Sequence, residues 1–130
     1  MYNEAFGEVV FDTGWDTQTD ITLWGKTSKV RVTAEAYYEQ DKITSAQEQS
    51  YIEFKKLKTE KQSLIESLVT QFSDNQFNEY EHYTRFSPTV LFFECDGGYA
   101  LLFDDKNDPD DGIAVVLYPN EQVLTQDEYL

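Results

Sequence analysis

The chain has 130 residues, 10 basic and 25 acidic, for a formal net charge of −15; it is 40% hydrophobic and carries 9 Tyr, 9 Phe and 2 Trp. That length suits one domain, residues 1–130, around one core, and the aromatic content excludes a disordered acidic tail. A surface this negative repels phosphate, which argues against direct contact with nucleic acid or anionic membranes.

The charge is unevenly placed. Residues 1–72 hold 12 acids against 8 bases, whereas residues 73–130 hold 13 acids against only Arg85 and Lys106, a net of −11. No apolar run approaches the roughly 20 residues of a membrane span. The opening MYNEAFGEVV lacks a basic stretch followed by an apolar one, so no signal peptide is expected. A single cysteine, Cys95, excludes an internal disulfide and suits a reducing cytoplasm; it is expected as a small buried hydrophobe.

Ala5–Phe11 (AFGEVVF) is apolar and β-branched and predicts a strand. It runs into Asp12-Thr13-Gly14, the triplet with which aspartic proteases present a catalytic carboxylate. Such an enzyme needs two of these aspartates sharing one proton. This chain has one, Trp15 follows where Ser or Ala is usual, and no glycine-rich flap is present, so the triplet reads as a turn. Asp20–Gly25 and Lys29–Ala36 follow as strands. The second alternates strictly, with Val30, Val32, Ala34 and Ala36 on one face, and Gly25-Lys26 begins the turn between them.

The period then changes. Thr44-Ser45-Ala46-Gln47 is a capping-box pattern, and Tyr51, Phe54, Leu57, Leu64, Ile65, Leu68 and Phe72 fall at helical spacing after it. No Gly or Pro interrupts Thr44–Phe72. A straight helix of that span would be about 43 Å long, so it must overhang the sheet or break near Lys58-Thr59. Ser73–Ser87 is a polar linker carrying aromatic rings, among them Tyr80 and Tyr83. After Pro88, Val90–Cys95, Tyr99–Phe103 and Ile113–Tyr118 predict strands, joined by Asp96-Gly97-Gly98 and by the acidic loop Asp104–Gly112, with a last short strand at Gln122–Leu124. The predicted class is α+β: an antiparallel sheet of about six to seven strands, ordered βββ-α-βββ(β), with one long central helix packed on one face.

Catalytic constellations are missing. His82 is the only histidine, no Gly-x-Ser-x-Gly elbow accompanies it, and one His with one Cys cannot make a zinc site. The loop DDKNDPDDG lacks the glycine and glutamate spacing of a calcium-binding EF-hand loop. No enzymatic activity, cofactor or metal is expected.

The segment LLFDDKNDPDDGIAVVL resembles a pattern found in a family of small bacterial domains of unknown function, in which a strand ends in an acidic hairpin followed by Gly, an apolar residue and a return strand. AFGEVVFDTGWDTQTDITLWGKTSKVRVTAEA is similar to that family's opening, and TSAQEQSYIEFKK to its helix. Asp110-Asp111-Gly112 stands where the family carries Trp and His, so no role of those residues is transferred. The family includes immunity proteins of contact-dependent growth inhibition and other polymorphic toxin systems. The resemblance implies an immunity protein that binds and inhibits a cognate basic toxin domain, a nuclease being the expected class. The alternative is an acidic protein-interaction module with no toxin partner.

For either role the expected partner-binding residues are Asp104, Asp105, Asp108, Asp110 and Asp111. Burying unpaired carboxylates costs several kcal/mol each, so all five are expected to project as a local field. Tyr80 and Tyr83 are the expected aromatic anchors.

Overall fold

The computed structural model describes residues 1–73 and 85–130. Nine strands are found there: β1 (Tyr2–Asn3), β2 (Gly7–Glu8), β3 (Val10–Phe11), β4 (Gly14–Leu23), β5 (Lys26–Glu35), β6 (Phe86–Phe93), β7 (Tyr99–Asp105), β8 (Asp108–Tyr118) and β9 (Gln122–Thr125). Helices α1 (Ser45–Lys56) and α2 (Lys58–Phe72) lie between β5 and β6, and a short α3 (Gln126–Tyr129) follows β9. Strands β1 and β2 form a small hairpin, and β3 to β9 form one seven-stranded sheet in sequence order.

The class is α+β as expected, but the sheet is mixed. β5 and β6 pair in parallel, with Arg31 opposite Val90 and Ala34 opposite Phe93, while the other neighbours in the sheet are antiparallel. Alternation in a sequence reports which face a residue takes, not strand direction. Direction here follows from the connection: a helical crossover returns the chain to the same end of the sheet, as a parallel pair requires.

The expected single long helix is two helices. Leu57 (φ −107°, ψ 29°) leaves helical geometry between α1 and α2, one residue before the anticipated break. The hydrogen bonds from Leu57 N–H to Glu53 and from Lys61 N–H to Leu57 persist across the bend. The cause lies in the stripe. Tyr51, Phe54, Ile65 and Val69 are buried, but a straight helix would place Lys58 and Lys61 on that same line. With the chain bent at Leu57, Lys58 and Lys61 are half-buried rather than buried. α2 then reaches β4 near one edge of the sheet and β8 and β9 at the other, so the sheet curls round it.

The N-terminal segment is not one strand. Gly7 takes φ +77°, and the Asn3 side chain accepts the N–H groups of Ala5 and Phe6, which closes a turn. Phe6 stacks on Tyr51 at 4.6 Å and meets Phe93 edge-on at 5.6 Å, so the turn serves as a plug over α1. Asp12 and Thr13 form the turn between β3 and β4, as expected, with Asp12 N–H donating to Gly14. The β4–β5 turn is Trp24-Gly25, both at positive φ, one residue earlier than anticipated.

The main core fills the helix-facing side, where Val30, Val32, Leu91, Phe93, Leu101, Phe103 and Val115 meet Phe54, Ile65 and Val69. On the other side Ala100, Leu102, Ala114 and Val116 form a second, smaller cluster with Val90, Phe92, Leu124 and Tyr129 packed against it. Tyr129 of α3 meets Phe92 edge-on at 6.4 Å and donates to Glu94 at 3.0 Å, which fastens α3 over that cluster.

The capping box forms as predicted: Thr44 accepts from Gln47 N–H at 3.1 Å, and the Gln47 side chain accepts from Thr44 N–H at 2.9 Å. Gln47 is fully buried, and its amide also donates to the carbonyls of Glu35 (3.0 Å) and Phe93 (3.1 Å), at the ends of β5 and β6. Gln47→Ala keeps the backbone N–H bond to Thr44 but removes the three side-chain bonds at once, and should lower unfolding free energy by about 2–4 kcal/mol, read from urea denaturation midpoints. A loss below about 0.5 kcal/mol, the level of an ordinary surface change, would mean the strand ends do not depend on this side chain.

Candidate functional site: two acidic ends of the sheet

The acidic segment is not a loop. β7 and β8 continue to Asp105 and Asp108, which pair across a two-residue Lys106-Asn107 turn. The ladder is interrupted just before the turn: Phe103 faces Ile113 and Asp105 faces Asp108, so Asp104 stands against Pro109–Gly112 in an irregular bulge. Proline lacks a ladder donor and is tolerated there. Gly112 is required, because a Cβ at that position would lie 2.0 Å from the Phe103 carbonyl oxygen. That carbonyl accepts from the Gln126 side chain at 2.7 Å, which ties the bulge to α3.

The five aspartates separate by environment. Asp104, Asp108 and Asp110 are exposed and Asp111 is half-buried, accepting from Asp127 N–H at 3.2 Å. Asp105 departs from expectation: it is buried at 6% exposure. Its two oxygens take a bidentate pair from Arg85 at 3.0 and 3.1 Å, and one also accepts Asn107 N–H at 2.9 Å. The expectation that every carboxylate must project assumed no partner within reach. Arg85, distant in sequence, supplies one, so Asp105 anchors the hairpin and adds nothing to its exposed field. A cleft of about 390 Å³ lies beside this pair, lined by Arg85, Ser87, Asp104, Lys106 and Asp108 among others.

Tyr80 and Tyr83, the expected anchors, lie outside the described residues, as does His82. Among the described residues no three His, Cys, Asp or Glu side chains converge as metal ligands would, and no helix is long and apolar enough to cross a membrane.

A second acidic surface, unanticipated from the sequence, lies at the opposite end of the sheet. β6 runs parallel to β5 and β7 runs back, so the segment after β5 and the β7–β8 turn sit at opposite ends. Cys95 lies there and is exposed, not buried as expected. Its N–H donates to the Glu35 carboxylate at 3.1 Å and its thiol to the Glu35 carbonyl at 3.4 Å. Partial burial first, then the hydrogen bond and charge of Glu35 and the charges of Asp41 and Asp96, hold the thiol above its ordinary range, away from the reactive thiolate. Beside it the β5–α1 connection exposes Tyr37 (75%) and Tyr38 (64%). The signal for them was present in the sequence, since two aromatics follow the last alternating residue, Ala36, just before the polar run Glu39-Gln40-Asp41.

Compared with known protein families, with curated proteins and with solved structures, the chain matches none.

Two measurements follow from this geometry. Asp105→Ala removes the bidentate acceptor and should cost about 2–3 kcal/mol of stability, whereas Asp108→Asn should stay within about 0.5 kcal/mol of the parent. Equal effects would contradict the division between buried anchor and exposed field. The second concerns alkaline pH. Burial, then the charge and hydrogen bond of Glu94, push the Tyr129 hydroxyl far above its ordinary value, and burial with the charge of Glu53 does the same to Tyr99. A folded value raised above the unfolded one means this contribution is whole below about pH 10 and declines as pH rises above it. The denaturation midpoint should therefore fall above about pH 10, and fall less steeply in Tyr129→Phe, which has no proton to lose.

Proposed function

We propose that this chain is a binding protein of the immunity type, which occupies a basic toxin domain, of the nuclease class, and blocks it sterically and electrostatically. The observation that carries the reading is the presentation of charge. Asp104, Asp108 and Asp110 are exposed at an end of the sheet where β6, β7 and β8 lie side by side, and the Asp105–Arg85 pair pins the β7–β8 turn there. Exposed carboxylates on a fixed support gather a cationic surface and exclude a polyanion. A nuclease presents such a surface to its own substrate. An acidic sheet end therefore competes for the same ground without needing any catalytic group of its own. Charge of this kind acts chiefly on encounter, raising association rates by roughly 10- to 1000-fold at low salt.

The first test is biological. The product of the gene adjacent to this one should arrest growth when expressed alone, and co-expression of this chain should restore growth and bring the two proteins down together. A neighbour that is harmless alone, or that fails to co-purify, would count against the immunity reading. With a partner in hand, Asp104→Asn, Asp108→Asn and Asp110→Asn combined should slow association and flatten its dependence on ionic strength, leaving dissociation nearly unchanged. An association rate equal to the parent's at low salt would mean that this end faces away from the partner.

A further inference from the structure

We infer that the Tyr37–Tyr38 turn is a preformed anchor for a cationic protein segment, one that lays arginine side chains across the two exposed rings. This deepens the proposed function and rests on the reading that the partner is a basic protein.

Large rings standing in water are the first part of the argument. Tyr37 and Tyr38 are 75% and 64% exposed and adjacent in sequence, whereas Tyr51 and Tyr99 lie in the core. The second part is their support. Asp41 N–H donates to the Tyr38 carbonyl at 2.9 Å, and Tyr38 N–H donates to the Asp41 carboxylate at 3.1 Å, which closes the turn from both sides. The Asp41 carbonyl in turn accepts the indole N–H of Trp15 at 2.7 Å, and Trp15 is itself buried against the core. The turn is therefore held from beneath, and the backbone carrying the rings is ordered before any partner arrives. Pre-ordering reduces the entropy that binding must otherwise supply.

The third part selects the occupant. Glu39 and Asp41 belong to the turn, and Glu35 and Asp96 lie close enough to perturb the neighbouring Cys95. An apolar partner would strip water from these carboxylates and return nothing. A nucleic acid could stack on the rings, but its phosphates would be repelled. A guanidinium satisfies both features: its plane stacks on an aromatic face while its N–H groups reach carboxylates at the rim. A lysine ammonium offers the charge without the plane, so arginine is preferred.

The test uses the full chain, isotopically labelled, and three decapeptides in which glycine alternates with arginine, with lysine or with serine. The arginine peptide should shift the Tyr37 and Tyr38 ring resonances saturably and more than the lysine peptide, and the serine peptide should leave them unmoved. Tyr37→Ala with Tyr38→Ala should weaken arginine-peptide binding by roughly 2- to 5-fold per ring removed. Tyr37→Phe with Tyr38→Phe should retain it, because the ring face is kept. Both pairs should melt with the parent, since the side chains stand in solvent. Shifts confined to Asp104, Asp108 and Asp110 would overturn the anchor while leaving the basic-partner reading intact. Binding by no cationic peptide even at low salt would remove that reading, and the anchor with it.

Discussion

The fold depends on one buried amide. Gln47 begins the helical crossover, and its side chain holds the carbonyls of Glu35 and Phe93, the residues at which the two parallel strands end. Parallel strands cannot be joined by a tight turn, so their junction needs a long excursion and a way to close it. Gln47 does both tasks because the capping box has already fixed it: its oxygen faces Thr44 N–H, which leaves the two amide protons for the two strands. The adjacent Gly97, at φ +94°, lets the β6–β7 turn press against Ala46, where a Cβ would come within 3.1 Å of the Ala46 methyl. Thr44 donates to the Cys95 carbonyl at 2.7 Å, and Ser50 to the Gly97 carbonyl at 2.6 Å. Helix start and strand ends are thus one hydrogen-bonded unit, and the two antiparallel halves of the sheet are joined through it.

How much of this was legible follows from the range of each interaction. Thr44 and Gln47 are three residues apart, so the helix start could be read directly. Val30, Val32 and Ala34 alternate within one strand, and their burial followed. The bend at Leu57 carries no Gly or Pro, and only Lys58 and Lys61 on the apolar stripe hinted that a straight helix would bury charge. The parallel pairing was not legible, because periodicity is blind to strand direction. The acidic hairpin misled for a related reason. Polar side chains at a strand end look like a loop, and the strand nature of Asp105 and Asp108 rests on backbone pairing and on Arg85, twenty residues away.

The same division explains how a chain of net charge −15 folds around so few cations. Asp105 is paired and buried, Asp16 accepts from Thr33 at 2.7 Å, Glu66 accepts Trp24 N–H at 2.6 Å and Gln62 accepts Thr22 N–H at 2.8 Å. The last two contacts come from α2 and satisfy the N–H of Thr22 in β4, beyond its short partner β3, and the N–H of Trp24 in the following turn, which protects an otherwise open sheet edge. Asp16, Glu66 and Asp105 thus each accept a hydrogen bond that the fold supplies, Glu66 and Asp105 from backbone N–H groups, while Gln62 does the same without a charge.

The two acidic ends of the sheet are electrostatically separate. The seven residues of β7 span about 23 Å at strand rise, whereas the field of an exposed charge is screened over about 8–10 Å at physiological salt. Carboxylates at the β7–β8 end therefore cannot steer a cation onto Tyr37 and Tyr38. On the proposed reading each end would have to attract what it binds with its own charge, and the turn carries Glu39 and Asp41. A partner covering about 800 Å² on this chain can centre on one end and at most touch the other at its rim. Aromatic rings give up more energy on desolvation than exposed aspartates do, so the end that carries rings on a pinned turn is the better centre. On the proposed reading, the β7–β8 end, with carboxylates and no exposed ring among the residues described there, would act at range as a guide or at the rim as a barrier to a competing polyanion. Under that proposal, separating the two roles in space would let association rate and residence time be set by different residues of the same small domain.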